Sequence, residues 1–335
     1  MPLQPSDLLR DRYRIRQAVA QGGMGSIYLA DDVRLDGRIC AVKEVVGDPV
    51  ATPETQQQAH DQFYREASVL ARLDHACLPK VSDFFAEEGR DYLIMDYVPG
   101  QDLSDIVDAA RDQGHFLPEA EVLGWVGQLI DAIIYLHSQE PPVLHRDIKP
   151  ANLKLTPNGT IKLVDFGLVK LMETDEQRTI TIVQGRGTAH YTPLEQYGGD
   201  TGHTDARSDI YSLGATLYHL LSNEPPAEAK ERFLKPSALS PLTDINPLAS
   251  ARTERAVAWA LKLHPDERPA SVQAFRDALY DGIFPDETGE RVYVPSSPQE
   301  FLERALSDPQ QRRLAIVAGL LALLALFSTF LVPRG

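Results

Sequence analysis

Three short motifs in fixed order constrain this chain more than any other feature: Ala-Val-Lys at 41–43, His-Arg-Asp-Ile-Lys-Pro-Ala-Asn at 145–152 and Asp-Phe-Gly at 165–167. Each sets a polar side chain beside an apolar run. Lys43 lies within Ile39-Cys40-Ala41-Val42-Lys43-Glu44-Val45, which reads as a strand around one long cation. Asp165 follows a second short strand, Ile161-Lys162-Leu163-Val164. A helix is expected from about Glu119 to His137, with Val122, Val126, Leu129, Ile130 and Ile133 on one face. It stops before Pro141-Pro142, so Asp147 falls in a loop anchored by a packed helix. Ahead of all three stands Gln21-Gly22-Gly23-Met24-Gly25, between two strand-like runs. These glycines form either an ordinary hairpin turn or a cradle whose backbone N–H groups approach anionic oxygens. A dinucleotide fingerprint is disfavoured, because that motif opens a helix.

Together the motifs supply a cation for phosphates, a carboxylate to receive a hydroxyl proton, and an amide plus a carboxylate to hold magnesium. One such match is weak, but three in order behind a glycine turn are specific. From about Tyr13 to about Tyr280 the chain resembles a eukaryotic-type protein kinase, nearest in style to the bacterial serine/threonine branch. The Gly-Gly-Met-Gly turn, Tyr211-Ser212-Leu213-Gly214 and Pro225-Pro226 carry that nuance. The resemblance implies an α+β, bilobal protein kinase fold. A small β-rich N-lobe would occupy about 13–96 and a larger helical C-lobe about 97–281, after an N-terminal extension of 1–12.

The resemblance also assigns roles residue by residue. Asp147 becomes the catalytic base, Lys149 meets the γ-phosphate, and Lys43 contacts the α- and β-phosphates while pairing with Glu66. Phe63, Ala67, Leu70 and Leu73 recur at helical spacing, which places Glu66 next to an apolar face. The stretch from Gly47 to His60, with Pro49, Pro53 and three glutamines, reads as a mobile loop entering that helix. Asn152 and Asp165 would bind magnesium, with manganese as its substitute. The phosphate lid would comprise Ala20, Gln21, Gly22, Gly23, Met24 and Gly25; Ala20 stands where the family has a glycine. Ile27 and Ala41 would line the nucleotide, Met95 would stand behind the adenine, and the backbone near Asp96 and Val98 would bond its edge. Asp102 matches the position that meets the ribose. Met95 on its own reads more often as plain core packing.

Between Leu168 and Tyr191 runs a polar segment bearing Thr174, Thr179, Thr181 and Thr188. Arg146 resembles the arginine that captures a phosphorylated loop, so autophosphorylation is expected at Thr179 or Thr181. His145 is expected to be structural. Glu195, in Pro193-Leu194-Glu195, has its expected partner in Arg268, and Asp209 should brace the catalytic loop. The competing class is a pseudokinase or nucleotide-binding membrane scaffold, but Lys43, Asp147, Asn152 and Asp165 are all in place.

At 335 residues, 43% hydrophobic and 24% charged, the chain is long enough for two cores. Its net charge of −15 argues against nucleic-acid binding. Two unpatterned cysteines, Cys40 and Cys77, offer neither a disulfide framework nor a metal site. Residues 314–332 form an uncharged run of about the 20 residues that cross a bilayer, read as one transmembrane helix. Arg312-Arg313 beside it leaves the kinase domain on the cytoplasmic side of the cell membrane. Residues 282–313 read as a juxtamembrane linker, and 333–335 as a short tail beyond the span. The expected partners are ATP, proteins with Ser or Thr acceptors, the membrane, and a second copy in a homodimer. Ala315, Ala318, Gly319 and Ala322 would let two spans approach.

Overall fold

Hydrophobic alternation on the first strands builds a sheet with two different faces. In the computed structural model, which describes residues 2–22, 25–45, 52–165, 170–171, 189–197, 205–285, 290–297 and 299–300, β1 (Leu8–Leu9) pairs antiparallel with β2 (Tyr13–Gly22). β3 (Gly25–Asp32) and β4 (Ile39–Val45) follow in antiparallel register. Tyr28 and Ala30 of β3 and Cys40 and Val42 of β4 are fully buried on one face, with Tyr13, Ile15, Phe85, Tyr92 and Ile94. Period-two alternation therefore sends Ile27, Ala41 and Lys43 to the opposite face. The outer face also buries Glu44, held by the Tyr28 hydroxyl at 3.0 Å and by Arg90.

α1 (Pro53–Leu70) crosses beneath this sheet and buries Phe63, Glu66, Ala67 and Leu70. Its length corrects the sequence reading of a mobile loop as far as His60. Proline is tolerated at the first helical position, Thr52 caps the helix by accepting from the Thr55 N–H at 3.3 Å, and the glutamines are good helix formers. Residues 46–51 lie outside the described residues. β5 (Val81–Glu87) and β6 (Arg90–Asp96) complete a six-stranded sheet in the order β1-β2-β3-β4-β6-β5.

Beyond β6 the chain turns through β7 (Gln101–Asp102) into α2 (Leu103–Asp112) and α3 (Glu119–His137). The five residues expected on the apolar face of α3 are all buried. Short strands β8 (Val143–Leu144), β9 (Leu153–Leu155), β10 (Ile161–Leu163) and β11 (Lys170–Leu171) form two small sheets, β10-β9-β7 and β11-β8. α4 (Ala206–Ser222) is buried from Ser208 to Ser222, and the smaller α5 (Ala229–Leu234), α6 (Leu242–Ile245), α7 (Ala251–Ala260) and α8 (Val272–Arg276) pack around it. A Cβ at Gly214 would stand 2.6 Å from the Ala260 Cβ, so glycine sets how closely α4 meets α7.

The boundary at 281 needs correction. β12 (Ile283–Pro285) and β13 (Arg291–Tyr293) form an antiparallel hairpin against the C-lobe, where the sequence reading placed the start of a linker. Phe284 is 2% exposed, and Arg252 of α7 donates to the carbonyls of Tyr280 and Val294 at 2.9 and 3.0 Å. The charge of Arg252 is met by Glu300. Prolines and polar residues gave this segment the composition of a tether, while Phe284 and a distant arginine fold it. Among the described residues no helix is long and apolar enough to cross a membrane. The run 314–332, the tail and the small-residue stripe lie outside the described residues, as do Phe166, Gly167 and the four loop threonines.

Candidate active site

The catalytic loop is held from behind by one buried carboxylate. Asp209, fully buried in the first turn of α4, accepts from the backbone N–H of His145 at 2.9 Å and of Arg146 at 2.7 Å, and from His137 Nε2 at 2.8 Å. Burial alone would raise its pKa, but His137 and the two N–H bonds more than reverse this, so the carboxyl sits below its usual range. Arg146 adopts φ +63°, a left-handed conformation, and Asp209 holds its N–H together with that of His145, the two amides that flank the His145 Cα. His145 is 1% exposed and burial lowers its pKa, in keeping with its expected structural role. His137 was not singled out from the sequence; its place in the last turn of α3 gave no signal separable from a helix terminus.

Asp147 emerges from this loop as a clamped carboxylate. Lys149 Nζ donates to both of its oxygens, at 2.9 and 2.8 Å, and Asn152 Nδ2 donates to its Oδ2 at 2.9 Å and its carbonyl at 2.7 Å. Three hydrogen bonds from two donor groups fix its carboxylate, two of them from the Lys149 ammonium. Thr216 of α4 bonds the Ile148 carbonyl at 3.3 Å, tying the loop to the C-lobe core.

Asp165 follows β10 in a left-handed conformation, φ +56°. Its carboxylate is ion-paired with Lys43 Nζ from β4, across the cleft between the lobes. Burial raises the Asp165 pKa, yet the charge and hydrogen bond of Lys43 outweigh it, and the acid stays below its usual range. Glu66 faces inward from α1 at 2% exposure and accepts from Gln62 Nε2 at 2.8 Å. Asn152 spends its amide nitrogen on Asp147, which leaves its side-chain oxygen as a metal-donor atom, and its backbone carbonyl accepts from the N–H of Val164, next to Asp165, at 2.8 Å. Hard oxygen donors of this kind fit magnesium, which takes few protein ligands and completes its shell with phosphates and water.

The glycine turn is a hairpin: Gly22 pairs with Gly25, and a Cβ on Gly25, at φ +144°, would lie 1.8 Å from the Glu44 carbonyl. Gly23 and Met24 lie outside the described residues. Ala20 and Gln21 are exposed on β2, Ala20 opposite Ile27 of β3. On the hinge side Met95 is 6% exposed in the core and Val98 is 8% exposed. The Asp96 N–H is spent on the Lys80 carbonyl at 3.0 Å, so a base contact there falls to the Asp96 carbonyl. Asp102, assigned to the ribose, is paired with Lys154 Nζ at 2.7 Å. Glu195 meets Arg268 as expected, in a buried two-pronged ion pair at 2.6 and 3.0 Å, and Ser208 also bonds Glu195 at 2.9 Å. Cys40 and Cys77 are both buried.

Comparison with known proteins accords with this geometry. The protein kinase domain model matches residues 13–320. The serine/threonine-protein kinase PknB of Mycolicibacterium smegmatis is 31% identical over 296 residues, 83% of this chain and 44% of that protein. Its namesake in Mycobacterium tuberculosis is 30% identical over 323 residues, 91% of this chain and 49% of that protein. The chain thus spans less than half the length of these relatives. The crystal structure of the Mycobacterium tuberculosis PknI kinase domain superposes with a TM-score of 0.62 at 28% identity, covering 84% of this chain and 99% of that one. The chain belongs to the protein kinase domain family.

Proposed function

We propose that this chain is a serine/threonine protein kinase that moves the γ-phosphoryl group of ATP to Ser or Thr hydroxyls of proteins. The clamp on Asp147 carries the reading: a carboxylate fixed by Lys149 and Asn152 is suited to orient a hydroxyl and receive its proton. The hydroxyl oxygen bonds to the γ-phosphorus as the bond to the bridging oxygen breaks. ADP departs, and the hydroxyl proton goes to Asp147. Lys149, already beside that carboxylate, balances the charge of the transferred group, and Lys43 serves the α- and β-phosphates. Asn152 and Asp165 would hold magnesium, which when bound neutralises phosphate charge. The expected autophosphorylation at Thr179 or Thr181 and a membrane tether at 314–332 complete the proposal.

The test is phosphate transfer from ATP by the full chain in detergent, beside Asp147→Asn, with phosphosites mapped by mass spectrometry. Incorporation on Ser or Thr should fall by about 100-fold or more in the variant, the usual scale for losing a general base. Wild-type protein that binds nucleotide but transfers no phosphate would point instead to a nucleotide-binding scaffold.

A further inference from the structure

The floor of the cleft carries an ion pair that the reaction itself does not require. The hinge runs directly into β7, and Asn152 runs directly into β9, so these paired strands lie between the hinge and the magnesium side of the site. Their approach is close: Gly100 adopts φ +137°, and a Cβ there would stand 2.2 Å from the Leu155 carbonyl. A nucleotide whose base meets the hinge and whose phosphates meet Asn152 must pass over this pair of strands.

Strand alternation decides which side chains it meets. Leu153 and Leu155 pack into the C-lobe core, so Lys154 projects from the opposite face. Asp102 stands directly across from Lys154 on β7, on the same face. The Lys154 ammonium lies 2.7 Å from Asp102 Oδ1, an oxygen shut off from water. On the other side of Lys154, its β10 neighbour is Lys162, a second cation that bonds the Leu78 carbonyl at 3.3 Å. Asp102 is thus the carboxylate paired with the nearer of two lysines on adjacent strands.

We infer that Lys154 is a positioning residue that withholds Asp102 from the ribose, so that this site admits nucleotides with little regard to their sugar hydroxyls. The inference rests on the proposed ATP site. An ammonium ion-paired with this carboxylate attracts it more strongly than a neutral hydroxyl can, so ribose hydroxyls compete poorly for Asp102. Removing the ammonium frees the carboxylate to accept from the sugar.

The experiment is calorimetric binding of magnesium complexes of ATP, 2′-deoxy-ATP and 3′-deoxy-ATP to the full chain in detergent. Wild-type protein should bind all three within about 3-fold of one another, while Lys154→Met should favour ATP over at least one deoxy form by about 10-fold, the scale of one hydrogen bond to a carboxylate. Lys154→Arg should keep the wild-type ratio, and adding Asp102→Asn to Lys154→Met should return the ratio to it. A merely structural role for the pair would weaken all three nucleotides alike. Strong rejection of both deoxy forms by wild-type protein would overturn the inference without any variant. So would an unchanged ratio in Lys154→Met. Failure of wild-type protein to bind any nucleotide would overturn the proposed function, and this inference with it.

Discussion

His219 of α4 receives a hydrogen bond from the Tyr191 hydroxyl at 2.7 Å on Nδ1, while its Nε2 is buried with no hydrogen-bond partner among the described residues. Burial pushes its pKa down from 6.5 to about 4; Asp108 on α2 opposes the shift, and Arg111 and His190 add to it. The unfolded chain protonates this group near 6.5 and the folded chain near 4, so stability is full above about 6.5 and declines as pH falls toward 4. The ceiling of that loss is about 3 kcal/mol, from roughly 1.4 kcal/mol per pH unit. Burial also lowers the pKa of His75 and His145, so the wild-type curve alone does not isolate His219. The comparison with His219→Asn does, because the asparagine oxygen can still accept from Tyr191 near the Nδ1 position. Unfolding followed between pH 7.5 and 4.5 should fall less steeply in the variant; parallel curves would refute the assignment. At this scale the sequence marked Lys43, Asp147, Asn152 and Asp165 because each sits at a fixed step from a strand or loop signal. His137, His219 and Lys154 escaped because their meaning lies in a partner 72, 28 or 52 residues away.

The same division appears among the elements. α3 was readable to its ends, since its apolar face repeats at helical spacing and prolines close both sides. The start of α1 was not, because Pro53 and the glutamines read locally as loop signals, whereas the proline occupies the first turn of the helix. The β12–β13 hairpin was missed because its strands are three residues long and its anchor, Arg252, sits on another element. Arg252→Ala should therefore release a segment rather than merely remove a surface charge. It leaves the Tyr280 and Val294 carbonyls without their donor, and destabilisation of about 2–4 kcal/mol is expected from losing hydrogen bonds to a buried charged group. Limited proteolysis should cut the variant between 283 and 300 well before the wild-type protein. Equal cleavage rates would show that the hairpin is held by Phe284 and its neighbours alone.

For the molecule as a whole, the cleft joins side chains from both lobes: Lys43 comes from the sheet, Asp147 and Asn152 from the loop braced by Asp209, and Asp165 from the end of β10. If residues 314–332 anchor this assembly, the full chain should sediment with membranes and resist alkaline carbonate, while a chain ending at 313 should remain in the supernatant. Recovery of both in the same fraction would remove the tether from the proposal. By itself the sequence pointed to the bilobal kinase family and to the strand or helix that carries each motif, and through that resemblance it nominated the phosphate, proton and metal-binding groups. The elements follow from local periodicity, which short stretches of chain encode directly; the nominated roles follow from the family resemblance of the motifs. Tertiary structure alone decided that Lys43 reaches Asp165, that Lys149 and Asn152 immobilise Asp147, that Lys154 occupies Asp102, and that the chain beyond 281 continues the fold. Each depends on which face a side chain takes and what stands across from it, and a charged atom's partner is chosen by distance in space rather than along the chain.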